Sequence, residues 1–236
     1  MNTIAQVGHK PRRRSLARAR ILPALLLAVI PHGASAQTSS RWPRRDFEGW
    51  TDLEVAHALK PYANLNLNGG LRWSGDADHL IYRRVAAGVN FKLSKYLTIY
   101  PAYGFYYTDS TRTALAGENR LSLTATAGAP FGRWRISDRN AIEKRYLPSG
   151  ESWRYRNRVE IQRPLKVGHR SFQASVWDEV FYDSAVRAWS RNRAAVGAER
   201  EIGPRLRVGL YFVHQNDGHT RPGDYNALAM TLRTRL

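Results

Sequence analysis

The chain of 236 residues contains no cysteine. A disulfide framework is therefore excluded, and so is a lipid anchor attached through cysteine. The chain after its first 36 residues also lacks an apolar run long enough for a transmembrane helix, which needs roughly 20 consecutive apolar residues. If the chain spans a membrane, the remaining way is a closed β-barrel, because only helices and barrels satisfy every backbone polar group in lipid.

Acidic residues are absent from the first 36 residues, which hold six Lys or Arg. An apolar run from Ile21 to Ile30 follows these cations, and Ala34-Ser35-Ala36 precedes Gln37. A basic start, a short apolar middle and a small-residue end are the three parts of a secretory signal peptide. We therefore expect residues 1–36 to be a cleaved signal peptide; a buried N-terminal helix is the alternative.

The net charge is strongly positive, at +18, and falls to +12 when the six cations of the expected signal peptide are removed. Such a charge can indicate a nucleic-acid or membrane-surface partner. Most Lys and Arg residues here alternate with apolar residues, however, and do not cluster in one loop, helix or tail. Most are Arg, which suits fixed hydrogen-bonded networks with carboxylates. We therefore expect no nucleic-acid partner.

The segment from Trp153 to Arg163 alternates between apolar and polar residues, interrupted only by Asn157. Its apolar set is Trp153, Tyr155, Val159 and Ile161, and its polar set is Arg154, Arg156, Arg158, Glu160 and Gln162. Successive side chains of a strand point to opposite faces, so one face is apolar and the other charged. In a soluble sandwich the apolar face would pack into a core. In a transmembrane barrel it would face lipid, and the charges would line the lumen.

Eleven segments of this alternating kind follow one another, each about 10 to 14 residues long and able to cross a membrane when tilted. Asp178 is an exception on the apolar face of the eighth. Pro101 lies in the fourth, where its missing N–H predicts a bulge or a local gap. Short connections alternate with longer ones, and the longer set is 74–79, 108–117, 147–152, 183–188 and 215–224.

Single-chain bacterial barrels have even numbers of strands. We therefore expect twelve strands, with ten as the alternative. The barrel would occupy residues 50–236, and residues 37–49 are a candidate for the further strand.

Aromatic residues on the apolar faces gather near the ends of the predicted strands. They are Trp73, Phe91, Tyr107, Phe131, Trp134, Trp153 and Tyr182. Such girdles are typical of membrane–water interfaces, whereas a sandwich core would hold aromatics in mid-strand more often. The last segment, ending at Leu236, resembles the final amphipathic strand that the barrel-assembly machinery reads, except that this residue is usually aromatic.

These patterns together favour an all-β fold, a single antiparallel up-and-down transmembrane β-barrel in the cell outer membrane. Its expected partners are outer-membrane lipid, lipopolysaccharide and the barrel-assembly machinery. A soluble periplasmic sandwich is the alternative. The patterns do not indicate an oligomeric state.

The predicted inward face is rich in Arg and Glu. Its polar network is expected to comprise Glu118, Arg120, Arg135, Arg139, Glu143, Arg145, Arg154, Arg156, Arg158, Glu160, Glu179, Arg193, Glu199, Arg205 and Arg207. In a narrow lumen such charges must pair or stay hydrated. They predict either a salt-bridged structural plug or a porin-like barrel with a narrow anion-favouring pore or binding cavity, since basic residues exceed acidic ones.

A lipid hydrolase is the alternative function. His169 and Ser171 are two residues apart, and Glu179 follows on the same strand face, as in the His-x-Ser arrangement of outer-membrane deacylases and phospholipase. His169 falls in a predicted turn, however, on the side opposite to the outer leaflet where those enzymes act. We therefore expect a non-enzymatic barrel.

Asp217, His219 and Asp224 lie close in sequence in the last long connection, where they could bind a divalent cation or the phosphate–metal clusters of lipopolysaccharide. The histidines show no metal-ligand spacing, and a solvated loop is the favoured interpretation. We expect neither a metal nor a cofactor.

Five short motifs appear in a fixed order along the chain. They are Glu118-Asn119-Arg120, Arg139-Asn140 with Glu143 and Arg145, Arg154-Tyr155-Arg156-Asn157-Arg158, Asp178-Glu179-Val180-Phe181, and Arg191-Asn192-Arg193 with Gly197. In this order they resemble the domain of unknown function 2490 family, a group of Gram-negative outer-membrane proteins predicted to be barrels. The resemblance covers about Trp50 to the C-terminus. It implies a location and an architecture, and no activity.

Overall fold

The computed structural model describes residues 45–74, 79–109, 115–219 and 223–236. The predicted signal peptide lies outside these ranges, and so do residues 37–44. Within them, no helix is long and apolar enough to cross a membrane.

The described chain is built from eleven strands. They are β1 (Arg45–Lys60), β2 (Ala63–Ser74), β3 (His79–Lys92), β4 (Leu97–Asp109), β5 (Leu115–Phe131), β6 (Trp134–Leu147), β7 (Gly150–Val167), β8 (Arg170–Asp183), β9 (Ala188–Glu201), β10 (Leu206–Asp217) and β11 (Asp224–Arg235). Each strand pairs with its neighbours in the chain, and β1 pairs with β11 to close a barrel. The predicted all-β, up-and-down barrel is therefore confirmed.

The closing pair is parallel, whereas every other pair is antiparallel. With an odd number of alternating strands the first and last run in the same direction, so only a parallel ladder can join them. The register runs from Arg45 opposite Asp224 to Ala56 opposite Arg235. The expected counts of twelve and ten are both wrong. Residues 45–49, predicted outside the barrel domain, form the start of β1.

The connections define two ends of the barrel. The turn end holds those after β1, β3, β5, β7 and β9, and the loop end holds the others. The predicted long connection 147–152 is instead a two-residue turn between Leu147 and Gly150, whose φ of +120° suits glycine. The β3–β4 ladder keeps its register but has a gap between the pairs Gly88–Ala102 and Phe91–Ile99. The gap expected beside Pro101 is therefore confirmed.

Side chains alternate between a buried inner face and an exposed outer face. On β10, Val213 points inward and is 0 % exposed, whereas its neighbour Phe212 points outward and is 48 % exposed. On β5, Arg120 is buried on the inner face, and Leu121 is exposed on the outer face. Charged groups are thus buried on the inner face and large apolar groups are exposed on the outer face, whereas a soluble protein keeps its charges exposed.

Aromatic side chains form two girdles on the outer face. Those near the loop end are Phe47, Trp73, Tyr107, Tyr146, Trp153, Tyr182 and Trp189, and those near the turn end are Tyr62, Phe91, Tyr96, Phe131, Trp134 and Phe172. The set predicted near strand ends lies in these two girdles. The apolar band between them is formed mainly by Leu, Val, Ile and Ala.

One polar patch interrupts this band on β6 to β9. It consists of Asp138, Asn140, Asn157, Asp178 and Asn192, and we call it the outer polar patch. Asn140 and Asn157 both donate to the Asp138 carboxylate, and Asn192 donates to both oxygens of Asp178 at 2.9 and 3.1 Å. These internal hydrogen bonds lower the cost of placing polar groups on an apolar surface. Asp178 and Asn157, the two exceptions in the sequence pattern, both belong to this patch.

Gly197 on β9 makes room for the inward-pointing ring of Tyr211 on β10. A Cβ added at Gly197 would lie 2.4 Å from Tyr211 Cδ1 and 2.3 Å from the Leu210 carbonyl oxygen. We expect Gly197→Val to reduce the free energy of unfolding by about 1–3 kcal/mol, the usual cost of overpacking. Urea unfolding of the refolded protein measures this change. Pairing it with Tyr211→Ala should recover part of the loss, and a Gly197→Val variant as stable as the parent would contradict the clash.

Candidate functional site: the barrel lumen

A fully buried carboxylate lies on the inner face of β8. Glu179 on β8 is 0 % exposed and forms ion pairs with three arginines. Arg156 and Arg158 of β7 approach its oxygens at 2.8 and 3.0 Å, and Arg139 of β6 binds it from the far side of β7. Several short charge-assisted bonds to one carboxylate compensate for its removal from water.

From Glu179 the ion pairs continue across β5 to β8 as an alternating series. Arg156 also binds Glu143 at 2.8 Å, and Glu143 binds Arg120 at 3.2 Å. The next links are Arg120–Glu118 at 2.7 Å, Glu118–Arg145 at 2.9 Å, Arg145–Asp183 at 2.8 Å and Asp183–Arg154 at 2.6 Å. We call these ten residues, Glu118, Arg120, Arg139, Glu143, Arg145, Arg154, Arg156, Arg158, Glu179 and Asp183, the charge ladder.

Strand geometry explains the ladder. Arg154, Arg156 and Arg158 occupy alternate positions of β7, so all three point inward. Arg158 lies directly opposite Glu179 on one side and Arg139 on the other. Two arginines that face each other across strands repel. The shared Glu179 carboxylate removes this conflict because it accepts from both.

Aromatic rings fill the lumen beside the ladder. The guanidinium of Arg193 lies 5.0 Å from the ring centroids of both Trp50 and Phe181, within cation–π distance. Arg158 lies 4.0 Å above Trp177 in the same way. Trp50, Trp177, Tyr211, Val213 and Tyr225 are all buried in one cluster formed by β1 and β8 to β11. We call Trp50, Trp177, Phe181, Arg193, Tyr211, Val213 and Tyr225 the aromatic layer.

The two ends of the lumen differ in exposure. Inward-facing residues at the loop end, such as Ser152, Asp183 and Asp217, are buried. At the turn end, Ala58 and Lys92 are exposed. A cavity of about 370 Å³ lies between the ladder and the turn end. The described wall therefore forms a cup that is filled at the loop end.

A family model matches the strands that form this barrel. The family described as "Protein of unknown function (DUF2490)" matches residues 47–226, which is most of the barrel. The chain belongs to the DUF2490 family. No curated protein matches the chain.

The motifs that suggested the DUF2490 family by resemblance occupy one part of the wall. Arg139-Asn140, Asn157-Arg158 and Asp178-Glu179 each place one residue on the inner face and its neighbour on the outer face. The inner members, Arg139, Arg158 and Glu179, belong to the charge ladder. The outer members, Asn140, Asn157 and Asp178, belong to the outer polar patch. The DUF2490 motifs thus build both surfaces of β6 to β8 at once.

Most of the predicted lumen residues meet in this DUF2490 barrel. Nine of the fifteen belong to the charge ladder, and Arg193 belongs to the aromatic layer. Glu199 and Arg207 lie near the turn end, where Glu199 also pairs with Arg233. Glu160 accepts a hydrogen bond from Gln162 and lines the cavity.

Two predicted members lie at the turn end, away from the charge ladder. Arg135 is the second residue of β6, where it is exposed on the inner face beside Gly128, and Arg205 lies in the connection between β9 and β10. Neither lies deep enough in the wall to meet a partner in the ladder.

The sequence analysis missed several lumen residues. Asp183 was assigned to a loop, yet it ends β8 and holds both Arg145 and Arg154. The pair Arg191–Asp217, 2.6 Å apart, was also missed. Extending the alternation of β8 and β10 to their last residues would have placed Asp183 and Asp217 on the inner face.

The residues proposed for a lipid hydrolase are not brought together. His169 lies in the exposed turn between β7 and β8, and Ser171 is exposed near the start of β8. Glu179 lies eight residues further along the strand, which corresponds to about 26 Å at the rise of an extended chain. It is also held by three arginines, so it is not available to orient His169.

The candidate cation ligands also do not form a shared site among the described residues. The Asp217 carboxylate points inward, binds Arg191 and accepts the backbone N–H of His219 at 2.8 Å. Among the described residues, no group of three His, Asp or Glu side chains could hold a metal ion.

Proposed function

We propose that this DUF2490 protein is an outer-membrane barrel, exported through a cleaved signal peptide, that binds a small solute in a lumen filled at one end. The observation that carries the proposal is the inverted polarity of the wall. Exposed Leu, Val and Phe side chains cover the outside, while buried ion pairs occupy the inside. This distribution suits a barrel surrounded by lipid.

The membrane location has further support. The two aromatic girdles bracket an apolar band, as expected for strands that cross a bilayer. The strands have 12 to 18 residues, more than the 9–11 or so that a tilted transmembrane strand needs. In this setting the outer face contacts outer-membrane lipid and lipopolysaccharide, and the barrel-assembly machinery reads the last strand.

The arrangement of charges favours binding over ion conduction. Every arginine of the charge ladder contacts a carboxylate, and the six arginines share four carboxylates, so their guanidinium groups are held in fixed contacts that fill this part of the lumen. The anion preference that follows from the excess of Lys and Arg in the sequence is therefore not part of the proposal. We also propose that the protein has no enzymatic activity, since His169 and Ser171 lack a neighbouring acid in the described chain.

Planar-bilayer recordings test the proposal. The purified full-length protein should insert without producing discrete current steps, because the ladder and the aromatic layer fill the loop end of the lumen. A barrel with an open lumen, inserted in the same bilayer, serves as the positive control. Regular ohmic channels from the DUF2490 protein, of either ion selectivity, would overturn the filled-lumen proposal.

A further inference from the structure

We infer that the lumen cavity binds a neutral, hydroxyl-bearing small molecule of the size of a mono- or disaccharide. This inference rests on the proposed binding function and names the ligand class for it. Its starting point is the uneven chemistry of the cavity wall. The part that β2 to β5 form towards the turn end carries hydroxyl and amide groups, and charged residues line the rest.

The uncharged half is a continuous surface. It consists of Asn68, Asn90, Thr98, Tyr100, Ser122, Thr124 and Thr126, and we call it the neutral wall. Thr98 of β4 lies directly opposite Thr126 of β5, and Tyr100 lies opposite Thr124. The register therefore places these hydroxyl groups side by side on the inner face.

Several groups of the neutral wall are available to a ligand. Asn68 donates to the Tyr100 hydroxyl at 2.8 Å. The side chains of Asn90, Thr98, Thr124 and Thr126 make no hydrogen bond to any residue of the described chain, and all four are partly exposed. A threonine hydroxyl and an asparagine amide can each both donate and accept. A ligand whose groups also do both, such as a sugar hydroxyl, can use both the donors and the acceptors of this wall, whereas a carboxylate can only accept.

The arginines in the charged half of the cavity already have partners. Arg84 pairs with Asp52 at 2.7 Å, and Arg156 and Arg158 are held by Glu179. Arg72 stacks on Trp50, with its guanidinium 4.0 Å from the ring centroid. An anion would have to compete with these contacts, whereas a neutral ligand leaves them intact.

Size and access agree with this class of ligand. The cavity volume of about 370 Å³ lies near the lower limit of small-molecule sites, which span roughly 300–1,000 Å³. It extends towards the turn end, where inward-facing Lys92 is exposed. A small sugar can therefore enter from that end, while the filled loop end would stop a long polymer from threading through.

Isothermal titration calorimetry on the full-length protein in detergent tests the inference. The neutral probes are glucose, galactose, maltose and trehalose, and the anionic probes are inorganic phosphate and citrate. We expect at least one neutral sugar to bind, and Thr124→Val with Thr126→Val to weaken it about tenfold, as the loss of two hydrogen bonds predicts. Thr51→Val, a matched change on the outer face of β1, should leave the affinity unchanged. Asn90→Leu is a second variant if the double variant does not fold.

The outcomes separate this inference from the proposed function. Binding of phosphate or citrate alone would overturn the inference and keep a solute-binding barrel. Sugar binding that is equally strong in the Thr124/Thr126 variant, the Asn90→Leu variant and the parent would overturn the assignment to the neutral wall. No binding of any probe would overturn the inference, whereas channel activity in the bilayer recordings would overturn the filled-lumen proposal independently.

Discussion

Glu179→Gln is expected to lower the free energy of unfolding by about 3–5 kcal/mol, the cost of removing one partner from a buried ion pair. Gln has nearly the shape of Glu, so little packing is lost. Its amide is neutral, however, and leaves Arg139, Arg156 and Arg158 close together without their shared carboxylate. The mutual repulsion of three buried guanidinium groups then adds to the lost attraction.

Urea unfolding in lipid vesicles, followed by tryptophan fluorescence, measures this change. Glu201→Gln is the matched control, because Glu201 is 70 % exposed and its partner Arg207 lies near the turn end. Exposed ion pairs contribute little, so the control should unfold at the parent's urea concentration. If Glu179→Gln unfolds at that concentration as well, the charge ladder is not the main support of the lumen.

Much of this architecture follows from side-chain alternation. Side chains alternate with a period of two, so Arg154, Arg156 and Arg158 share one face of β7 whichever strands lie beside it. Their inward direction could therefore be predicted without knowing the neighbouring strands. The ladder itself could not be predicted this way. Arg139 on β6 reaches Glu179 on β8 across an intervening strand, and such a contact depends on the curvature of the closed wall.

For the strand count, the sequence pattern was right and a general rule was wrong. The alternation indicated eleven segments, and the general rule of even numbers then led to the wrong expectation of twelve. That rule assumes antiparallel closure, whereas β1 and β11 pair in parallel here. Residues 45–49 were not recognised as part of β1 because Gly49 on the outer face and apolar Trp50 on the inner face interrupt the alternation there.

The outer polar patch could not be predicted from the alternation of side chains. Asn157 and Asp178 read as two isolated exceptions in separate strands. Their common location becomes clear only in the folded wall, where Asp138, Asn140 and Asn192 join them. Periodicity describes each strand separately, so a surface feature shared by four strands is not visible in any one of them.

Leu123→Arg is expected to destabilise the barrel in a bilayer by about 2–4 kcal/mol, the cost of a cationic side chain at the lipid-facing midplane. Leu123 is the central residue of β5, points outward and is 53 % exposed. The same change on a face in contact with water would alter stability by only about 0.5 kcal/mol. The size of the effect therefore reports directly which solvent covers the outer face.

Phe131→Arg provides the matched control on the same strand. Phe131 is the last residue of β5, lies in the turn-end girdle and is 71 % exposed. Arginine near the interface costs only about 0–1 kcal/mol, because its side chain can reach the headgroups. Unfolding of both variants in vesicles should thus show a difference of about 2–3 kcal/mol between two outward-facing sites on one strand. Equal and small effects at both positions would place the outer face in water and contradict the membrane location.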